Sequence, residues 1–212
     1  MRHGLWISVL VLTGAALPAW SAVYDYSTGG VNNIVLNPGD TVSIPVFLTE
    51  TTSGSETSLI ADEGGLYSAE VRIAQLSTTA SSPVKVVNVA DVTIDPAFND
   101  PLASDVQITG TTVDIAGFTD LLGPGAGGTV SGNTTAIKIA DVVFTAGTVG
   151  VTVVELIDNP LGDNTLTFDT FQVLDGYLPS SSGPTITFTV LPEPTWLGLS
   201  AVGVGVLKRR RV

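Results

Sequence analysis

From Thr41 to Leu48 the chain alternates without a break: Val42, Ile44, Val46 and Leu48 share one face, and Thr41, Ser43, Pro45 and Phe47 share the other. A period of two marks an extended strand with one buried side, because successive side chains of extended backbone point to opposite faces. Pro45 has no N–H to give to a ladder, so this strand is expected at a sheet edge or beside a bulge. The Asn37-Pro38-Gly39-Asp40 run before it has the residues of a tight turn.

A second alternation sets Tyr67, Ala69, Val71 and Ile73 inward and Ser68, Glu70 and Arg72 outward. Further short β-branched runs are Val31 to Leu36, Leu66 to Gln75, Val84 to Val89, Val106 to Ile108, Thr112 to Ala116, Ala136 to Thr145, Val149 to Ile157, Thr170 to Leu174 and Thr185 to Val190. Glycine-rich and Ser/Thr-rich stretches separate them, among them Gly123 to Gly128, Thr49 to Ser58, Leu76 to Ser82 and Pro179 to Pro184. No helical periodicity competes with this pattern. The expected fold class is all-β, an antiparallel sandwich or jelly roll, since nothing supplies the helical crossovers of a parallel sheet.

The two ends differ from this body. Arg2 and His3 precede an apolar run from Leu5 to Leu17, then Pro18 and the stretch Ala19-Trp20-Ser21-Ala22, the order of a secretory signal peptide cut after Ser21. At the other end, Thr195 to Leu207 is a thirteen-residue segment without charge, closed by Lys208, Arg209, Arg210 and Arg211. As a helix it reaches about 20 Å against a hydrocarbon core of about 30 Å, so it suits transient insertion better than permanent anchorage. Both basic clusters belong on the cytoplasmic side by the positive-inside rule, which puts the body outside. The domain reading is therefore a signal peptide over 1–21, one β-sandwich over 22–190 and a C-terminal signal over 191–212.

A Pro-Glu-Pro triplet, here Pro192-Glu193-Pro194, followed by an apolar segment and an arginine-rich terminus on a chain with a signal peptide resembles the PEP-CTERM sorting signal. That resemblance implies cleavage near the triplet by an exosortase, a membrane protease, and a place at the cell surface or in the exopolysaccharide matrix of an environmental bacterium. The two prolines keep the site extended and reachable. Within the body, the Pro38 to Val46 run, the strand from Leu66 to Ile73 and the late pair Ile137 to Ala146 and Val149 to Leu156 resemble the cohesin-like and carbohydrate-module jelly rolls. This second resemblance implies a binding or scaffolding sandwich and transfers no ligand; a carbohydrate- or protein-binding module is the alternative to a structural role.

The body holds only Arg72, Lys85 and Lys138 as cations against nineteen carboxylates, a surface that repels nucleic acid and anionic headgroups. There is no cysteine, and the single histidine is His3. Thiol nucleophiles, imidazole bases, Ser-His-Asp triads and His or Cys zinc sites are thereby excluded from the body. A carboxylate pair of the glycosidase kind stays open, although Trp6, Trp20 and Trp196 all fall in the terminal segments and leave the body no indole for stacking sugars. The expectation is a non-enzymatic protein with no catalytic residue.

For a ligand, oxygen chemistry is what remains. Asp158, Asn159, Asp163 and Asn164 surround a glycine turn with the hard donors that Ca²⁺ takes, and Asp95, Asn99 and Asp100 form a second such group; the same residues also serve as ordinary turn formers. Neither group has the spacing of an EF-hand. Asn133-Thr134-Thr135 has the pattern of a glycosylation sequon.

Overall fold

The computed structural model describes residues 22–54, 56–160 and 164–193. The expected signal peptide over 1–21, Asp163, Pro194, the apolar tail and Lys208 to Arg211 lie outside the described residues. Among the described residues twelve strands run in chain order: β1 (Val23–Ser27), β2 (Asn33–Leu36), β3 (Thr41–Thr51), β4 (Leu66–Thr78), β5 (Val92–Ile94), β6 (Asp105–Thr109), β7 (Thr112–Phe118), β8 (Thr129–Ser131), β9 (Thr134–Thr145), β10 (Gly150–Ile157), β11 (Leu166–Thr167) and β12 (Thr185–Val190). One four-residue helix, α1 (Leu59–Asp62), follows β3. No helix among the described residues is long and apolar enough to cross a membrane.

The strands form two sheets. The first runs β1-β3-β9-β5, with β8 also on β9; the second runs β2-β12-β10-β4-β7-β6, with β11 also on β4. The alternation read from sequence is what lets them face each other. Ile44, Val46 and Leu48 of β3 and Ile137, Val142 and Phe144 of β9 are buried from one side. Ala69, Val71 and Ile73 of β4, Ile115 of β7, Val154 and Leu156 of β10 and Ile186 and Phe188 of β12 are buried from the other. Phe144 and Phe188 meet across the interface with ring centroids 4.9 Å apart. Each such Val, Leu, Ile or Phe side chain contributes roughly 1.5–3 kcal/mol by leaving water.

Pro45 lies on β3, an interior strand of the first sheet, at a stretch that pairs only with β9. It is tolerated because β1 ends its pairing opposite Phe47 and the β3–β9 register shifts between Val46 and Phe47, a bulge next to the proline. The Asn37 to Asp40 turn forms as expected: Asp40 N–H donates to the Asn37 carbonyl at 3.1 Å, and Gly39 takes φ +85°, which a residue with a Cβ rarely adopts.

Four expectations are corrected. β2 and β12 pair in parallel, which needs no helical crossover because β3 to β11, drawn from both sheets, intervene between them in sequence. The run from Val84 to Val89 contributes an isolated bridge, Lys85 to Thr145, and the run from Thr170 to Leu174 one from Val173 to Leu166; neither is a strand. β1, with an aspartate between its two tyrosines, is a strand that β-branched content alone does not reveal. Finally, Ser68 and Glu70 do lie on the outward face of β4, but they are buried there.

Candidate functional site

Burial of Glu70 follows from a gap in the sheet. β10 pairs with β4 as far as Ile157 opposite Arg72, and β11 resumes the pairing with Leu166 opposite Ser68, so Glu70 falls between them with no strand on that edge. Its backbone groups find side-chain partners instead. The N–H donates to Thr165 Oγ1 at 3.3 Å, and the carbonyl accepts from the Tyr26 hydroxyl at 2.7 Å. Tyr26, 1% exposed, comes from the opposite sheet and ties the two together at this gap.

The chain that leaves β10 covers the Glu70 side chain. Asn159 Nδ2 and Asn164 Nδ2 both donate to Glu70 Oε2, at 2.8 and 3.0 Å, and Ser68 Oγ donates to the Asn164 carbonyl at 2.6 Å. Burial holds the Glu70 carboxyl above the usual carboxylate range, and the two amides pull it back. Asn159 is only 7% exposed, and its Oδ1 is sealed from solvent with no hydrogen-bond partner. A buried polar atom left this way costs roughly 1–3 kcal/mol.

Outward from Glu70 lies a cleft of about 240 Å³ that Asp105, Gln107, Asp114, Phe118, Asn159 and Asn164 help to line. The registers explain its composition. Glu70 and Asp105 both stand opposite Ala116, one from β4 and one from β6, so two carboxylate residues flank a small floor at a Cα separation of about 10 Å. In the next row Asp114 stands between Arg72 and Gln107, and the Arg72 guanidinium grips it in a two-pronged pair at 2.5 and 3.0 Å. Asp114 is thereby neutralised, and the charge of the cleft comes from Glu70 and Asp105.

The predicted calcium residues divide. Asn159 and Asn164 converge on Glu70, which sequence reasoning left out because it is 89 and 94 residues away from them. Asp158 joins a different group: its Oδ1 accepts from Tyr26 at 3.3 Å, and its carboxyl faces Asp175, which in turn accepts from the Thr165 amide at 3.3 and 3.1 Å. Burial first and the Asp175 charge second push the Asp158 carboxyl up to about 7. Asp95 and Asp100 act as turn formers, and Asn99 ties its loop to the one at Asp120. Asp95 accepts from Ala97 N–H, Asn99 from Asp120 N–H, and Asp100 from Leu102 and Ala103 N–H. Among the described residues no group of three or more Asp, Glu, His or Cys side chains is placed to hold a metal ion.

The tyrosines do not make an exposed sugar-binding row. Tyr24 and Tyr26 are buried, Tyr67 is half-buried against Phe118 and Phe171, and Tyr177 is exposed beside Tyr24. Pro192 and Glu193 of the expected sorting signal follow β12 and are exposed. Asn133 is exposed in the turn between β8 and β9.

The body is a β-sandwich. No protein-family model matches the chain, and no curated protein sequence matches it. Among solved structures it is similar to the second type II cohesin module of the adaptor scaffoldin ScaA of Acetivibrio cellulolyticus, with 13% identity over 83% of this chain and 95% of the module at a TM-score of 0.39. It is also similar to the 35 kDa C-terminal fragment of the major pilin GBS80 of Streptococcus agalactiae, with 13% identity over 79% of this chain and 55% of the fragment at a TM-score of 0.32. At these scores no ligand or partner is carried over; the fold rests on the strand registers given above.

Proposed function

We propose that this is an exported, non-enzymatic surface or matrix protein, processed at the Pro192-Glu193-Pro194 triplet by an exosortase-type membrane protease and retained with envelope or exopolysaccharide. The observation that carries the reading is where the sandwich stops. β12 ends at Val190, Leu191 N–H donates to the Leu36 carbonyl at 2.9 Å, and the chain then emerges with Leu191, Pro192 and Glu193 exposed. A cut at the triplet leaves every strand among the described residues in place. The other end matches: β1 begins at Val23, two residues beyond the expected cut after Ser21. The apolar tail then serves as a temporary membrane address, and the acidic body is the working part.

The test is mass spectrometry of the protein recovered from membrane, surface and culture fractions of a bacterium that encodes an exosortase-type protease. A mature chain beginning at Ala22 and ending close to Pro192 is expected. Recovery of the full chain with both termini intact, in every fraction, sinks the proposal.

A further inference from the structure

We propose that Glu70, Asn159 and Asn164 form a binding site for a divalent cation of the Ca²⁺ type in the gap between β10 and β11. Three oxygen-bearing side chains from two distant segments meet at one atom, since both asparagine amides reach Glu70 Oε2. Each amide now presents nitrogen. Rotation of an asparagine amide by half a turn puts its oxygen where the nitrogen was, so the same three side chains can offer a carboxylate and two amide oxygens to a cation seated on Glu70.

The independent sign of a ligand is Asn159 Oδ1. Its residue is 93% buried, it lines the cleft together with Glu70 and Asn164, and it accepts no hydrogen bond, whereas nearly all buried polar atoms in folded proteins do. Because no hydrogen bond holds Oδ1 where it stands, the amide can turn this oxygen toward Glu70 and a cation without breaking a contact at that end. Among the described residues no lysine or arginine pairs with Glu70; the nearby guanidinium of Arg72 is committed to Asp114. Asp105, on the opposite wall of the cleft, adds a second negative charge to the approach. The donor set is oxygen alone, which favours calcium over the softer metals that need imidazole or thiolate. One carboxylate with neutral donors gives weak binding of the kind useful outside cells.

The experiment is thermal unfolding of the purified full chain at pH 7.5 in EDTA, in CaCl₂, and in NaCl of equal ionic strength. Calcium is expected to raise the melting temperature with a half-effect at roughly 0.1–1 mM, the range of extracellular calcium modules. Glu70→Gln should move the half-effect upward by about tenfold or more, Asn159→Asp should move it downward severalfold, and Glu155→Gln, an acid outside the cleft, should leave it in place. No shift up to 10 mM CaCl₂, an equal shift in NaCl, or a wild-type response in Glu70→Gln overturns the site. If Glu70→Gln does not fold, the Asn159→Asp titration decides alone, and an unchanged half-effect there overturns it.

Discussion

Each sheet buries one glutamate on a long interior strand, and the two are held in opposite ways. Glu50, near the end of β3, is fully buried. Its carboxylate accepts from Tyr24 OH at 2.9 Å, from the Leu59 and Ile60 amides at 2.8 and 3.2 Å, and from the Ser58 hydroxyl. Two of those donors are backbone N–H groups at the start of α1, which have no partner inside the helix and no freedom to turn away. Glu70, on β4, is also buried, yet its side chain is held by two asparagine amides that can exchange oxygen for nitrogen, next to an oxygen with no partner. A carboxylate saturated by fixed donors is part of the architecture. One surrounded by reversible donors is fit to take a ligand.

Removing the first carboxylate should do the most damage. Glu50→Ala leaves the Tyr24 hydroxyl and two backbone amides without an acceptor in a dry site, so urea unfolding is expected to show a loss of about 3–5 kcal/mol. A loss below 1 kcal/mol breaks the contrast.

The next effect comes from protons beside the second carboxylate. Asp158 faces Asp175 and Tyr26, with Glu70 close by, and its carboxyl is raised from 3.8 to about 7. A group whose folded value is raised stabilises the fold below its unfolded value and loses that contribution as pH climbs through the folded value. In EDTA, stability should therefore fall between about pH 4 and pH 7, by a few kcal/mol at most at about 1.4 kcal/mol per tenfold change in proton affinity. The raised Glu70 carboxyl acts in the same direction. A melting temperature that stays flat or rises across that range contradicts this reading of the gap.

The smallest effect sharpens the comparison. Without calcium, Glu70→Gln loses a charged acceptor but also a buried charge, and the two nearly cancel, so a change under about 1 kcal/mol is expected from urea unfolding in EDTA. A cost as large as that of Glu50→Ala would place Glu70 among the fixed parts.

Much of the fold was legible because a strand writes itself locally. The alternation at Val42 to Leu48 and at Ala69 to Ile73 gave two interior strands, and the Asn37 to Asp40 turn gave the entry to one of them. The same parity, continued two residues past Leu48, points Glu50 into the interior, but nothing near it in sequence names Tyr24 or Ser58 as its partners. Glu70 was read as solvent-facing for the same reason. Its parity is outward, and only the return of the chain after β10 covers it. The Asp158 to Asn164 stretch was legible as a cluster of oxygen donors, yet which of them meet each other was not.

By itself the sequence determined the class of fold, the acidic charge of the body, the absence of thiol and imidazole from it and the apolar and basic composition of the two ends, since all of these follow from residue type and short-range period. The tertiary structure decided the parallel pairing of β2 with β12, the gap between β10 and β11, and the burial of a glutamate in that gap. Those depend on which distant segments lie side by side, and alternation along one strand carries no record of its neighbours.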